Sequence, residues 1–196
     1  MVAYFLGALI LNQGLNRTSL LTEQILTECD LLETPYGDHH ERLLSHIIDD
    51  LEFLEIPRWA EAEAHGMLAL HCHDNALDCE MTDPHGVTKA VHGWWRNGHG
   101  FVFHSVVAHH GQLTCVTPVI ASPWDDTSSL LFAPDPWVRR GSLDGFPALL
   151  IDGKDVPQRL SLNPSYDLKL AAEMRWRLAN GFDADSVAKD PILINV

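Results

Sequence analysis

Hydrophobic positions recur along the chain with two different periods, and the change of period falls near its middle. In residues 18–32, Leu21, Ile25, Cys29 and Leu32 form one stripe flanked by Glu23 and Glu28, which predicts an amphipathic helix. A second helix is predicted after "TPYG", where Asp38 stands at a cap position and Glu41 follows three residues on, the spacing of a capping box. Leu43, Leu44, Ile47, Ile48, Leu51 and Leu54 then return at the helical period, with Asp49, Asp50, Glu52 and Glu55 mostly outward. Pro57 ends or restarts this helix, and a short Ala/Glu-rich helical turn runs to Gly66.

Beyond Gly66 the period shortens. "HGWW", "GFVFHSVVAHH" and "QLTCVTPVI" are rich in Val, Phe, Trp and Thr and are broken by glycines, which predicts antiparallel strands. Taking His110-Gly111 as a two-residue turn sets residue 109 opposite 112, and counting back sets 106 opposite 115 and 104 opposite 117. One face then carries Val102, His104, Val106 and Ala108 against Leu113, Cys115, Thr117 and Val119. Between them, "HDNALDCEM" predicts a short helix with Cys72 at its amino end and Ala76, Leu77 and Met81 inward.

From 121 to 145 the prolines and Asp/Ser residues predict a long irregular connection, "SPWDDTSSLLFAPDPW". "ALLIDGKDVPQ" predicts a hairpin turning at Asp152-Gly153. The last helix has Asn163 as cap, Pro164 at its first position and Gly181 just past its end, with Leu170, Ala171, Met174 and Leu178 as the buried stripe. The tail "DPILINV" is a candidate edge strand. Helices followed by strands point to an α+β fold rather than a doubly wound parallel sheet. The expected organisation is an acidic helical segment, residues 1–66, and an α+β core, residues 67–196, most simply within one domain.

The opening "MVAYFLGALIL" is wholly apolar, but a membrane-spanning helix needs about 20 such residues. The first basic residue is Arg17, so the charge that precedes an export signal is missing as well. A buried strand or short core helix is expected there, and the cytoplasm is the default location. Cys29, Cys72, Cys79 and Cys115 are then reduced thiols rather than a disulfide framework.

Charge narrows the partners. The chain carries a net −14, and residues 1–66 hold 12 acids against 3 bases. That excess argues against a phosphate backbone as partner, since nucleic-acid binding needs clustered Lys and Arg. Asp49, Asp50, Glu52, Glu55, Glu61 and Glu63 are either a solvated face or a docking surface for a basic protein partner. All 12 histidines fall between His39 and His110, which places the candidate chemistry in the middle of the chain. His39, His46 and His65 sit on acidic helical segments and His109 and His110 flank a turn, where exposure is expected.

Cys72 at a helix start is where free N–H groups and the helix dipole favour an anion, and so favour a thiolate. His104 on a mostly apolar strand face is either a neutral imidazole satisfied by a neighbour or a base held by the adjoining strand. A thiol at a helix start, a histidine on a strand and a polar group on the next strand are the parts of nucleophilic cysteine catalysis. "CHDN" with Cys72 and Asn75, "HGWW", "FVFHSVV", "GQLTCVTP" and "LLFAPD" resemble the core of papain-fold thiol hydrolases, including their NlpC-like and transglutaminase-like groups. The resemblance spans roughly residues 66–135 and implies Cys72 as nucleophile and His104 as base, on an amide or peptide-like substrate. It sets Cys115 where those groups carry an acid, so the orienting role falls to Cys115, Thr117 or a residue from elsewhere. Trp94, Trp95, His73 and Asn75 are candidates to line the substrate groove, although paired tryptophans also suit a core.

The same stretch admits a metal reading. On a strand His71 and His73 would project to one side, and Glu80 or His104 could complete a zinc site; the thiol reading needs no cofactor.

Overall fold

A computed structural model of the protein describes residues 17–33, 37–98, 100–118 and 128–189. The opening apolar run and the tail "DPILINV" lie outside the described residues. The architecture is α+β with antiparallel sheets. No helix among the described residues is long and apolar enough to cross a membrane.

The chain falls into two compact units, one built from its two ends and the other from residues 37–162. Position 66, the expected boundary, lies inside the second unit. In the first unit α1 (Arg17–Leu32) packs Ile25, Cys29 and Leu32 against Ala171 and Met174 of α4 (Pro164–Ala179) and Ala184 and Val187 of α5 (Ala184–Lys189). The stripes read from sequence are the buried ones here. Asn163 caps α4 by accepting the Tyr166 N–H, and Gly181 follows the helix with φ +79°.

The second unit opens with α2 (Asp38–Asp49), which buries Leu43, His46 and Ile47. The expected capping box is absent: Gly37 takes the cap position, Asp38 is the first helical residue, and no side chain caps the end. The helix also stops at Asp49, short of the periodic run. Ile48 is 55% exposed, and Leu54 begins a strand, β1 (Leu54–Pro57), because pairing with another strand outbids the local period. A single 3₁₀ turn, Glu63–His65, closes on Gly66 at φ +80°.

The main sheet runs β1–β5–β2–β3–β4, with β5 (Ser129–Pro134), β2 (Thr88–Asn97), β3 (Gly100–His109) and β4 (Gln112–Thr114), and β9 (Arg159–Ser161) also pairing β3. The strand β5 corrects the expected irregular connection. Its apolar core "LLFA" is too short to show alternation among prolines, and pairing with β1 and β2 makes it a strand. Gly93 of β2 permits that pairing, since a Cβ there would run into the Ala133 carbonyl.

The His110-Gly111 turn gives the expected register, His109 opposite Gln112 and Val107 opposite Thr114, with both turn residues at positive φ. Pairing ends at Thr114, so 106–115 and 104–117 are not ladder partners. From Cys115 the chain crosses instead to β1: Cys115 N–H donates to Pro57 O at 2.9 Å and Trp59 N–H to Cys115 O at 2.8 Å. The sheet therefore closes on itself, enclosing Ile56, Val106, Cys115, Leu130 and Phe132.

The outer face of β2 and β3 is covered at one end by α2, over Trp94, Phe101 and Phe103, and at the other by α3 (Cys72–Thr82), through Ala76 against Val107. Only Cys72, Asn75 and Ala76 of α3 are buried; Leu77 and Met81, expected inward, are 38% and 74% exposed. A smaller sheet, β6 (Arg139–Leu143), β7 (Phe146–Ile151) and β8 (Lys154–Asp155), turns at Asp144-Gly145 and at the expected Asp152-Gly153.

Candidate functional site

Strand alternation places His104 on the enclosed side of the sheet and Ser105 on the side under α3. His104 is 5% exposed, and its Nε2 lies 3.3 Å from Cys115 Sγ. The surroundings of that sulfur fix its role. Cys115 Sγ–H points to the Thr117 carbonyl at 3.8 Å, while Arg58 Nη1 donates to the sulfur at 3.6 Å. A thiol whose proton is directed elsewhere accepts, so His104 carries its proton on Nε2 and leaves Nδ1 as the basic nitrogen. Arg58 is itself held over the Trp95 ring, 5.2 Å from its centroid.

Cys72 is the first residue of α3, reached through Leu70, which adopts φ +66° and is 71% exposed. Asn75, one turn on, ties this start in place: its Oδ1 accepts the Leu68 N–H at 3.0 Å, and its Nδ2 donates to Leu68 O at 2.7 Å and Thr117 Oγ1 at 3.4 Å. The segment that carries Thr117 is thereby pinned to the helix that carries Cys72.

Burial works against the thiolate expected at the helix start. Burial pushes the Cys72 thiol up to about 11, and the nearby Cys115 adds to the rise. The N–H groups of Ser105, His73 and Cys72 oppose it and lose. Burial likewise takes His104 down to about 3, helped by the charges of His73 and Arg58. Burial also raises the Cys115 thiol. At rest the site holds neutral thiols and a neutral imidazole.

Other candidates separate. Trp94 is wholly buried and donates its Nε1–H to Asp135 at 2.8 Å, so it belongs to the core and walls no groove. Trp95 is half-buried beside His104, with ring centroids 5.9 Å apart. His73 turns its Nδ1 to Ser105. The metal quartet is not assembled: His71 pairs Asp74, His73 bonds Ser105, Glu80 holds Arg140 and His104 holds Cys115. Among the described residues no group of three or more His, Cys, Asp or Glu could hold a metal ion.

His46, expected at the surface, is instead 4% exposed, its ring between Asp50 and Asp135 and stacked on Trp137 at 3.4 Å. His65, His109 and His110 are exposed. A cavity of about 490 Å³ lies by Arg42, Trp137, Arg139, Leu150 and Asp152, among residues distinct from the thiol cluster.

Arg58, Ser105 and His92 carry contacts that the quoted motifs do not announce. Alternation along "FHSVV" sets Ser105 opposite to His104, and the pairing of Ser105 with His92 follows from the β2–β3 hairpin, for which the dipeptide Asn97-Gly98 is the available signal. Comparison with models of known protein families, with curated proteins and with solved structures returned no match.

Proposed function

We propose that the protein is a cysteine-dependent hydrolase or acyltransferase acting on an amide or peptide-like bond, with Cys72 as nucleophile and His104 as base. The observation that carries this reading is the 3.3 Å contact between His104 Nε2 and Cys115 Sγ, from which the tautomer of His104 is inferred. Its Nε2–H is held by Cys115, whose own proton goes to Thr117, so the free lone pair is on Nδ1. Cys115 thus takes the orienting part that an acid has in the resembling hydrolases, where the third group fixes the ring rather than accepting a proton.

Because thiol and imidazole are both neutral at rest, no ion pair precedes the reaction. Cys72 and His104 make no hydrogen bond with each other among the described residues, so the step needs the substrate-bound site to bring them within reach. The Cys72 proton then passes to His104 Nδ1 as sulfur bonds to the carbonyl carbon, and the developing oxyanion is met by N–H groups at the start of α3. Collapse breaks the carbon–nitrogen bond, the departing amine takes the proton from His104, and a thioester remains on Cys72. Water or another nucleophile releases it.

Hydrolysis of a panel of acyl anilides and peptide amides tests this. Turnover in the wild type that is lost in Cys72→Ala and reduced in His104→Ala supports the reading; turnover retained by Cys72→Ala overturns it.

A second reading draws on the acidic stretch. Asp49, Asp50, Glu52, Glu55, Glu61 and Glu63 are all exposed, while Arg58, the single base among them, turns inward to Trp95 and Cys115. A basic protein partner docking there would bind with a steep loss of affinity in salt.

A further inference from the structure

Ser105 has no exposed surface, and its hydroxyl oxygen lies 2.6 Å from His73 Nδ1 and 2.6 Å from His92 Nδ1. A hydroxyl has one proton. It donates to one of these nitrogens and accepts from the other, so one ring presents a bare Nδ1 and the other an Nδ1–H. Burial takes His73 to about 4, with the His92 charge adding to the fall and Asp74 opposing it. Burial and Arg140 lower His92 as well, against Glu80. Near neutral pH each ring therefore holds a single proton, and the two tautomers are opposite. Both Nε2 atoms are buried, and neither has a hydrogen-bond partner among the described residues.

We infer that Ser105 joins His73 and His92 into a proton relay, in which a proton taken up from water at the Nε2 of one histidine, when that ring is transiently uncovered, releases a proton to water from the Nε2 of the other. The balance closes. A proton from water binds the bare Nε2 of His92, its Nδ1–H passes to Ser105 Oγ, the Ser105 proton passes to His73 Nδ1, and His73 Nε2 gives its own to water. Ser105 ends with one proton, both rings end neutral, and the tautomers have exchanged.

The same geometry disfavours a metal between the two rings. Both turn Nδ1 to one oxygen, which sets each Nε2 on the side of its ring away from that oxygen, with centroids 6.3 Å apart at 56°.

The relay has a direction in the fold. His92 feels Arg140 and Glu80, which pair with each other at the surface. His73 follows Cys72 on α3, its charge reaches His104, and the Ser105 N–H reaches the Cys72 thiol. As a route for protons to the thiol cluster the relay rests on the proposed function, whereas the coupling of the two tautomers does not. Ser105 and His92 are then positioning residues, acting through His73.

The test is long-range proton–nitrogen NMR on the wild type, isotope-labelled in its histidines. His73 and His92 are expected in opposite tautomers near neutral pH. In His92→Gln the His73 nitrogens shift, because the ring that fixed its proton is gone. In a Ser105→Ala background, adding His92→Gln no longer moves them. Identical tautomers in the wild type, or His73 nitrogens unmoved by His92→Gln, overturn the relay. Turnover plays no part in this readout. An inert Cys72 would remove the thiol reading and leave the relay, and matching tautomers in an active enzyme would do the reverse.

Discussion

Two consecutive residues of β3 look in opposite directions and meet different chemistry. His104 points into the closed sheet, where a sulfur, a carbonyl and a guanidinium fix one tautomer. Ser105 points out beneath α3, between two imidazoles whose proton it shares. The inner face holds a proton in one place, while the outer face lets one move. Strand alternation alone separates the two networks, and both approach Cys72, through the Cys115 charge on one side and the Ser105 N–H on the other.

Substitutions on either side sharpen that contrast. The largest effect on the fold is expected from Trp94→Ala on the outer face, which empties a wholly buried site and removes the donor to Asp135 Oδ2. It should lower unfolding free energy by about 4 kcal/mol in urea titrations. A loss below about 1 kcal/mol would mean the outer face does not carry the core described here.

Activity should divide the other way. His104→Ala is expected to reduce turnover by roughly 100- to 10,000-fold, the usual range for a general base. Ser105→Ala, which leaves His104 and Cys115 in contact, should cost no more than about tenfold, below that range. Equal losses in the two variants would erase the distinction between the faces.

Stability should fall as pH drops from about 6.5 toward 4. His104 and His73 take up protons near pH 6.5 when unfolded but, in the fold, only near about 3 and about 4. Unfolding therefore binds protons across that window, and the stability present above it is lost on acidification. Thermal melts of His104→Gln and His73→Gln should show a flatter decline than the wild type. An unchanged slope would place the acid sensitivity elsewhere.

The smallest effect is an order of thiol reactivity. Cys79, only partly buried, should alkylate first; Cys72, 9% exposed and near 11, should follow, with a rate that rises about tenfold per pH unit. Cys29 and Cys115, with no exposed surface, should come last. Peptide mapping after timed iodoacetamide pulses reads this order, and Cys72 labelling fastest at neutral pH would show that burial does not control it.

What could be read from the sequence is what short-range rules govern. The His110-Gly111 turn set the β3–β4 register, Asn163, Pro164 and Gly181 bounded α4, and the Ile25–Cys29–Leu32 stripe is buried as expected. The misses are pairings between distant segments. "LLFA" becomes β5 only because β1 and β2 lie beside it, and the α2 period breaks at Leu54 for the same reason. The expected register, 106 opposite 115 and 104 opposite 117, already puts His104 diagonal to Cys115. Arg58 joins that group only because the sheet closes from Cys115 to β1, whereas Ser105 joins His92 through a local hairpin whose Asn97-Gly98 signal is there to be read. For the Cys72 thiol, a helix start is visible in sequence, but the degree of burial that opposes its effect is not.

The most direct measurement is intact-protein mass spectrometry after exposure to an activated acyl ester, followed by peptide mapping. If Cys72 and His104 work as a pair, the wild type gains one acyl group, on Cys72, and His104→Ala gains it far more slowly. An adduct that settles on Cys79 instead, or that forms on Cys72 equally fast without the imidazole, would contradict the account.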